Sequence, residues 1–300
     1  MFEKFIDSLK NGKYITLETT PQRSAKFANI VEKIDELALD KLVDGFSVTD
    51  NPLARLKYSA LFGAQMLQNR FNKPAIATMS MRDRNRIALQ SDLLGANEAD
   101  IRAILALTGD SAHRSDQPHT KGVFEANSNL LLDIIDRLNS GYDLAGQQLI
   151  QKPESIYPFA VSDSYSKSAT TLAKKISKKV SHGSVGIISQ PLYDLENAKK
   201  LLDMTESANS EHQKDCVMVL GYFPITRLRT ALFLDENVPG IYVPDSWISE
   251  LEKASQISSE QEYKVGFELS KNLFDALVEL HPKIHIMTAN QFDLAKKILS

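Results

Sequence analysis

The sequence has few of the features that mark secreted, disulfide-bonded or membrane-embedded proteins. Cys216 is its one cysteine and lies in an apolar segment, so no internal disulfide forms and Cys216 is predicted to be a small core residue. No window approaches the roughly 18 consecutive apolar residues of a membrane span, and residues 1–6 lack the apolar stretch of a signal peptide. We therefore expect a cytoplasmic protein that does not contact membranes.

An excess of basic residues is also missing. The chain carries 35 Lys and Arg residues against 38 Asp and Glu residues, a formal net charge of -3 at pH 7, and its pI is about 6.1. A nucleic-acid-binding surface needs a basic excess or a concentrated basic face to neutralise phosphates. The only dense basic run is short, at residues 174–179, so no nucleic-acid partner is expected.

No linker rich in Pro, Ser or Gly and no low-complexity block divides the chain. Instead, short apolar segments rich in β-formers alternate with segments whose apolar residues repeat at helical spacing. The pattern predicts eight strands, at residues 13–18, 45–49, 74–80, 104–107, 157–162, 185–190, 217–222 and 283–288. Helices are predicted at residues 25–39, 53–70, 85–94, 127–138, 168–180, 195–204, 227–234, 260–280 and 292–299.

Eight strands that alternate with helices in 300 residues predict a (β/α)8 barrel, the TIM barrel of the α/β class, as a single domain over residues 1–300. The fourth strand is a continuous apolar run that stops abruptly at Thr108, Gly109 and Asp110, as expected of a strand buried on both faces. A doubly wound open sheet is the alternative. That fold usually places a glycine-rich fingerprint after its first strand, where this chain has Glu-Thr-Thr-Pro.

A ring of polar side chains is predicted at the barrel mouth, because catalytic groups in such barrels lie where strands end. Its members are Glu18, Thr49, Ser80, Asp110, Asp163, Gln190, Tyr222 and Thr288. Ser, Thr and Asp are also preferred helix caps, which is the alternative for each of them taken singly. Glu18 fits that alternative least, and a carboxyl group in an apolar setting favours the protonated form that a general acid needs.

Three further features can each be interpreted in two ways. Gly109 indicates either the close approach of a ligand to the backbone or a turn with positive φ. The lysines of residues 174–179 repeat at helical spacing, which is typical of a solvated helix face and also compatible with a phosphate site. His285 lies in a predicted strand and is more typical of a buried barrel histidine than of a catalytic one, and His113 and His119 lack the spacing of zinc ligands.

Several stretches, taken together, resemble the methylenetetrahydrofolate reductase family. They are residues 18–23, 47–51, 82–85, 106–110, 138–146, 189–194 and 229–234 with 237–241. They occur in the order that the family has and run through nearly the whole chain. Each stretch is only moderately specific, whereas the set is specific.

The resemblance implies a flavin-dependent oxidoreductase of one-carbon metabolism and methionine biosynthesis. Such an enzyme reduces 5,10-methylenetetrahydrofolate to 5-methyltetrahydrofolate, with NAD(P)H as co-substrate and FAD, or FMN as the alternative, as cofactor. By resemblance, Glu18 protonates the bridging nitrogen of the folate and opens its five-membered ring to an iminium. Asp110 then favours that cation electrostatically.

The same resemblance implies the ligand contacts. The flavin contacts would be Thr49, Asp50, Ser80, Leu107, Thr108, Gly109, Asp110 and, near the phosphates, Lys178 and Lys179. Gln190, Tyr193 and Thr230 would contact the substrate, with Gln190 meeting folate and nicotinamide in turn. A homo-oligomer is expected, and no metal ion.

The chain departs from the family's usual residues at several positions. Thr108 stands where arginine is commonest, Thr78 replaces a histidine beside the flavin, and Thr230 and Gln291 replace a glutamine and an arginine that contact folate. These departures bear on folate affinity, the electron donor and the choice of flavin. Two other hypotheses therefore remain: a reductase subunit that takes electrons from a partner protein, and a flavin- or folate-binding relative without turnover.

Overall fold

Eight parallel strands close into a barrel in sequence order. The computed structural model describes residues 1–300, and β1 pairs with β8 to complete the closure. The strands are β1 (Tyr14–Thr19), β2 (Gly45–Val48), β3 (Ala75–Ser80), β4 (Ala103–Leu107), β5 (Tyr157–Ser162), β6 (Gly186–Pro191), β7 (Val217–Tyr222) and β8 (Lys283–Ile286). The predicted (β/α)8 barrel is thus confirmed.

Helices surround the strands and cover one end of the barrel. They are α1 (Phe2–Asn11), α2 (Ala28–Glu36), α3 (Ala60–Phe71), α4 (Arg86–Glu98), α5 (Ser128–Asn139), α6 (Ala169–Ser181), α7 (Leu195–His212), α8 (Leu228–Asn237), α9 (Asp245–Ile257), α10 (Ser259–Leu280) and α11 (Phe292–Leu299). None of them combines the length and the apolar character that a membrane crossing requires.

Helix α3 begins at Ala60, not near residue 53 as the apolar spacing predicts. Asn51, Leu53 and Ala54 have positive φ angles, and Pro52 has no N–H to donate. The Leu53 N–H donates to Asp110, and the Lys57 N–H donates to the side chain of Asn51. Because these amides are bound outside a helix, the segment forms a loop over the barrel mouth instead.

The prediction also missed two helices, α1 and α9. Helix α1 buries Phe2, Phe5 and Leu9, which belong to a cluster of 10 buried residues that includes side chains from the barrel interior. Helix α9 buries Trp247 and Leu251. The spacing of these apolar residues is helical in both segments, so the signal was present in the sequence.

A larger cluster of 59 buried residues lies between the strands and the outer helices. A fully buried Leu, Ile or Phe side chain contributes about 1.5–3 kcal/mol of hydrophobic free energy, so this layer is the main source of stability. Cys216 belongs to it, and burial raises the pKa of its thiol to about 12. Cys216 is therefore the unreactive core residue that the sequence predicts.

Gly221 on β7 packs closely against the backbone of β6. The register of β6 and β7 shifts between Ile188 and Pro191, and a Cβ atom at Gly221 would lie 2.1 Å from the carbonyl oxygen of Ser189. We expect Gly221→Ala to lower the free energy of unfolding by about 1–3 kcal/mol, because a backbone group cannot rotate away.

Gly95 in α4 is the matched control for that substitution. A Cβ atom there meets nothing within 4 Å, so Gly95→Ala should raise the free energy of unfolding by about 0.5–1 kcal/mol. Urea unfolding followed by circular dichroism measures both variants. Equal midpoints for the two variants would contradict the packing at Gly221.

Candidate functional site

A cavity of about 310 Å³ opens at the carboxyl ends of the strands. Alternate residues of a barrel strand face the interior, so the last inward-facing residue of each strand lies at this mouth. Eight of the residues predicted for the site line the cavity: Glu18, Thr49, Asp50, Ser80, Leu107, Gly109, Asp110 and Gln190. The strand ends predicted from the sequence therefore meet in one place.

A second cavity of about 550 Å³ adjoins the first. The two share five lining residues, namely Leu107, Gly109, Asp110, Val161 and Gln190. From there the second cavity extends to Lys175, Lys178 and Lys179 on α6 and to the beginning of α5. We call the two adjoining cavities the groove; its residues run from the barrel mouth to a cluster of cations.

Two hydroxyl groups in the wall of the first cavity have no partner. The side-chain oxygens of Thr49 and Ser80 are buried and make no hydrogen bond within the protein. A buried polar atom without a partner costs about 1–3 kcal/mol. Both residues line the cavity, so rotation about χ1 would present either oxygen to the polar atoms of a ligand.

Gly109 lies where the two cavities meet. Its φ angle is 91°, and a Cβ atom would lie 3.0 Å from Cβ of Arg82 and 3.1 Å from Cβ of Ser80. The position therefore requires glycine both for its left-handed backbone and for its close packing. Of the two interpretations of Gly109, the turn with positive φ is confirmed.

Glu18 contributes a carboxyl group to the first cavity. It lies near the end of β1, and 21% of its side chain is exposed. One of its oxygens, Oε2, is 3.7 Å from Nε2 of His285. The Nδ1 atom of His285 is hydrogen-bonded to Thr16, so His285 is a buried barrel histidine that also lines the cavity.

Asp110 does not cap the helical turn that follows it. Its Oδ2 atom accepts a hydrogen bond of 2.7 Å from the N–H of Leu53, and the cap of the turn is Ser111. The carboxylate thereby attaches the loop after β2 to the loop after β4. Asp110 also lines both cavities.

Arg82 lines the first cavity, although it is not among the predicted site residues. The signal that could have identified it is the stretch 82–85, which resembles the methylenetetrahydrofolate reductase family. Its guanidinium is buried and forms a two-point ion pair with Asp83, at 2.8 and 2.6 Å. The hydrogen bond to Asp83 raises the pKa of Arg82, and the charges of Asp50 and Asp110 add to this shift. A permanent cation therefore borders the cavity beside Gly109.

Asp50 also lines the cavity, but its carboxylate is already engaged. Its Oδ2 atom accepts from the backbone N–H of Ser80 at 3.1 Å and from Arg84 at 2.7 Å. Thr108 is engaged as well, since its hydroxyl oxygen accepts from the N–H of Ser128 at 3.2 Å. Because both side chains are hydrogen-bonded to neighbouring residues, they stabilise the wall of the groove.

The lysines of α6 divide between two faces of the helix. Lys179 donates to Ser128 and Asn129 in the second cavity, whereas Lys174 lines a separate cleft between α6 and α7. Burial, together with the charge of Lys175, lowers the pKa of Lys179 to about 8. An anion in the second cavity would relieve this repulsion.

Some predicted residues lie away from the groove. Tyr193 is buried, packs edge-on against Trp247 and donates its hydroxyl to the carbonyl oxygen of Phe223. Thr230 lies on α8 and lines neither of the two cavities. Two members of the predicted polar ring, Tyr222 and Thr288, are also buried outside both cavities.

The sequence model of the methylenetetrahydrofolate reductase family matches residues 2–300 of this chain. A solved structure described as an uncharacterized protein from Clostridium thermocellum that binds two copies of 5-methyl-5,6,7,8-tetrahydrofolic acid is 13% identical, with a TM-score of 0.64, and covers 100% of this chain and 98% of that one.

A crystal structure of 2,3-dimethylmalate lyase, a member of the PEP mutase/isocitrate lyase superfamily, is 10% identical, with a TM-score of 0.51, over 98% of this chain and 82% of that one. At these identities the structural likeness shows the fold alone. None of the curated proteins matches the sequence. Because the family match spans residues 2–300, the chain belongs to the methylenetetrahydrofolate reductase family.

Proposed function

We propose that this protein reduces 5,10-methylenetetrahydrofolate to 5-methyltetrahydrofolate, with a flavin as cofactor and NAD(P)H as donor. The observation that carries the proposal is the groove of two adjoining cavities, which has the carboxyl groups of Glu18 and Asp110 at one end and the lysines of α6 at the other. Family membership supports an oxidoreductase that acts on a reduced folate.

The residues of the groove fit a flavin nucleotide. Thr49 and Ser80 have unpartnered hydroxyl oxygens that a χ1 rotation would present to the polar atoms of a ring. Gly109 has no side chain to obstruct a ring beside them. Lys178 and Lys179 supply cations for the phosphates. A flavin held by these residues would supply hydride transfer between NAD(P)H and the folate carbon.

Glu18 acts in this proposal as the general acid. Its carboxyl group reaches the cavity and donates a proton to the bridging nitrogen N10, as the bond from N10 to the methylene carbon breaks. The electron pair of that bond stays on N10, and the lone pair of N5 forms a double bond to the carbon. The result is an iminium cation, which the carboxylate of Asp110 stabilises electrostatically.

Flavin affinity should depend on the protonation of Lys179. Its pKa of about 8 means that the ammonium group is charged below pH 8 and loses its proton above it. A phosphate binds the charged form, so we expect the affinity for FAD to fall by about tenfold between pH 7 and pH 9.5. Fluorescence titration of FAD at several pH values measures this.

Two variants separate this effect from a general loss of folding at high pH. Lys179→Met should bind FAD more weakly at pH 7 and show little further change up to pH 9.5. Lys174→Met, which changes the other face of the same helix, should keep the pH dependence of the unmodified protein. An identical pH dependence in Lys179→Met would assign the titration to another group.

A spectrum of the purified protein, before and after anaerobic addition of NADH or NADPH, tests the proposed function. We expect flavin absorbance that is bleached by the nicotinamide and restored by 5,10-methylenetetrahydrofolate, with 5-methyltetrahydrofolate formed. A protein that binds neither FAD nor FMN after reconstitution would contradict the proposal.

Two other outcomes identify the alternatives. If only dithionite reduces the flavin, while the folate still reoxidises it, the electrons come from a partner protein. If flavin and folate bind but no product forms with any donor, the protein is a binding relative without turnover. The two outcomes differ in whether the folate reoxidises the reduced flavin, which the same spectra record.

A further inference from the structure

Three polar side chains of β1 and β8 lie together on the inner wall of the barrel. Thr16 on β1 is paired in register with His285 on β8, so their side chains lie side by side on the same face. Glu18 follows Thr16 by two residues and shares its face. The strand register thus places His285 between a buried hydroxyl and the proposed acid.

The hydrogen bond to Thr16 favours one position for the hydrogen on the His285 ring. Oγ1 of Thr16 is 2.7 Å from Nδ1 of His285, and Thr16 is fully buried and makes no other side-chain hydrogen bond. Its hydroxyl hydrogen therefore has Nδ1 as its one acceptor. When Nδ1 accepts, the neutral ring carries its hydrogen on Nε2.

The Nε2 atom faces Glu18 and no other acid. It lies 3.7 Å from Oε2 of Glu18, the one carboxylate oxygen within 4.0 Å of the ring nitrogens. On the opposite side, His285 pairs with Gly221 of β7, which has no side chain. Within β7, Tyr222 donates its hydroxyl to Ser270 on α10.

The remaining charged groups of the cavity are directed elsewhere. Arg82 is paired with Asp83, Asp50 is paired with Arg84, and Asp110 accepts from the Leu53 N–H. Among the charged groups of the cavity, the carboxyl group of Glu18 is therefore the one that lies within 4.0 Å of Nε2 of His285.

We propose that His285, held by Thr16 with its hydrogen on Nε2, is a positioning residue for Glu18. Its N–H is directed at Oε2, which leaves Oε1 to carry the proton that the folate nitrogen receives. The gap of 3.7 Å closes to a hydrogen bond when substrate fills the cavity, as catalytic contacts commonly do. This inference rests on the proposed function for the identity of the substrate.

The tautomer can be measured without any turnover. In the full chain labelled with ¹⁵N-histidine, the His285 signals, assigned by their loss in His285→Gln, should report hydrogen on Nε2. Thr16→Val removes the hydroxyl donor at nearly constant volume and should shift the signals toward a mixture of tautomers. A hydrogen on Nδ1 in the unmodified protein overturns the inference, whether or not the protein is active.

Kinetics test the consequence for Glu18. His285→Phe should lower kcat for folate reduction by about tenfold, and His285→Gln, which keeps an N–H donor, should recover part of the loss. The pH profile of kcat should differ between His285→Phe and the unmodified protein, because the proposed contact acts on the proton-donating group. Reduction of the flavin by NAD(P)H, which needs no acid, should be unchanged.

The two proposals fail in different ways. An inactive unmodified protein whose His285 carries its hydrogen on Nε2 would reject the folate reductase activity and leave the contact in place. An active protein in which His285→Phe keeps the kcat and pH profile of the unmodified chain would reject the positioning role alone. If His285→Phe does not fold, Thr16→Val should show a changed pH profile of kcat instead.

Discussion

Replacing Glu18 by Gln should slow the reduction of 5,10-methylenetetrahydrofolate by about 10²–10⁴-fold, the usual contribution of a positioned general acid. Glutamine has the shape of the protonated carboxyl group but cannot release a proton to N10. Flavin binding and flavin reduction by NAD(P)H should remain, because neither requires the acid. Stopped-flow measurement of each half-reaction separates the two effects.

The control for this variant is Glu98→Gln. Glu98 is the exposed last residue of α4, outside both cavities, and its substitution also removes one negative charge from the chain. It should keep normal rates in both half-reactions. Undiminished folate reduction by Glu18→Gln would mean that another group donates the proton.

Replacing Asp110 by Asn should lower the rate of folate reduction by about 10²-fold, since one preorganised electrostatic contact to a developing charge is typically worth this much. The amide oxygen of Asn can still accept the hydrogen bond that Asp110 takes from the Leu53 N–H. The loop after β2 should therefore stay in place, and the effect isolates the negative charge beside the iminium.

Asp116 offers a matched control on the same loop. Its carboxylate accepts from the N–H of Leu56 at 3.2 Å, so Asp116 also attaches the loop after β2 to the loop after β4. Unlike Asp110, it lines neither cavity. Asp116→Asn should keep nearly normal folate reduction. Equal losses in the two variants would show that the loop, and not the charge at Asp110, affects the rate.

Strand positions were largely predictable because each strand is a short, buried apolar segment. The bounds of β5 and β7 agree with the prediction, and a parallel barrel buries its strands on both faces. Loop conformation was not predictable, since it depends on distant partners. The start of α3 is an example, because Asp110 binds the Leu53 N–H from a separate loop.

The end of a strand predicts the polar ring at the mouth only in part. Alternate residues of a strand face opposite sides, so the last polar residue does not always face the barrel interior. Gln190 and Glu18 have the parity that faces the interior, whereas Tyr222 follows the inward-facing Gly221 and so points into the helix layer, where it bonds Ser270. A shift of one residue moves a side chain to the opposite face of a strand. A sequence pattern locates the end of a strand but not its inward-facing residue.

The sequence by itself determined the barrel, the approximate strands and the concentration of polar residues at one end, because these follow from local apolar patterning. Only the tertiary structure decided which polar groups are free and which are engaged. The carboxylate of Asp50 is paired with Arg84, whereas the hydroxyl of Ser80 has no partner. The tertiary structure also brings His285 beside Glu18 across the β1–β8 closure, a contact between the two ends of the chain that no local pattern contains.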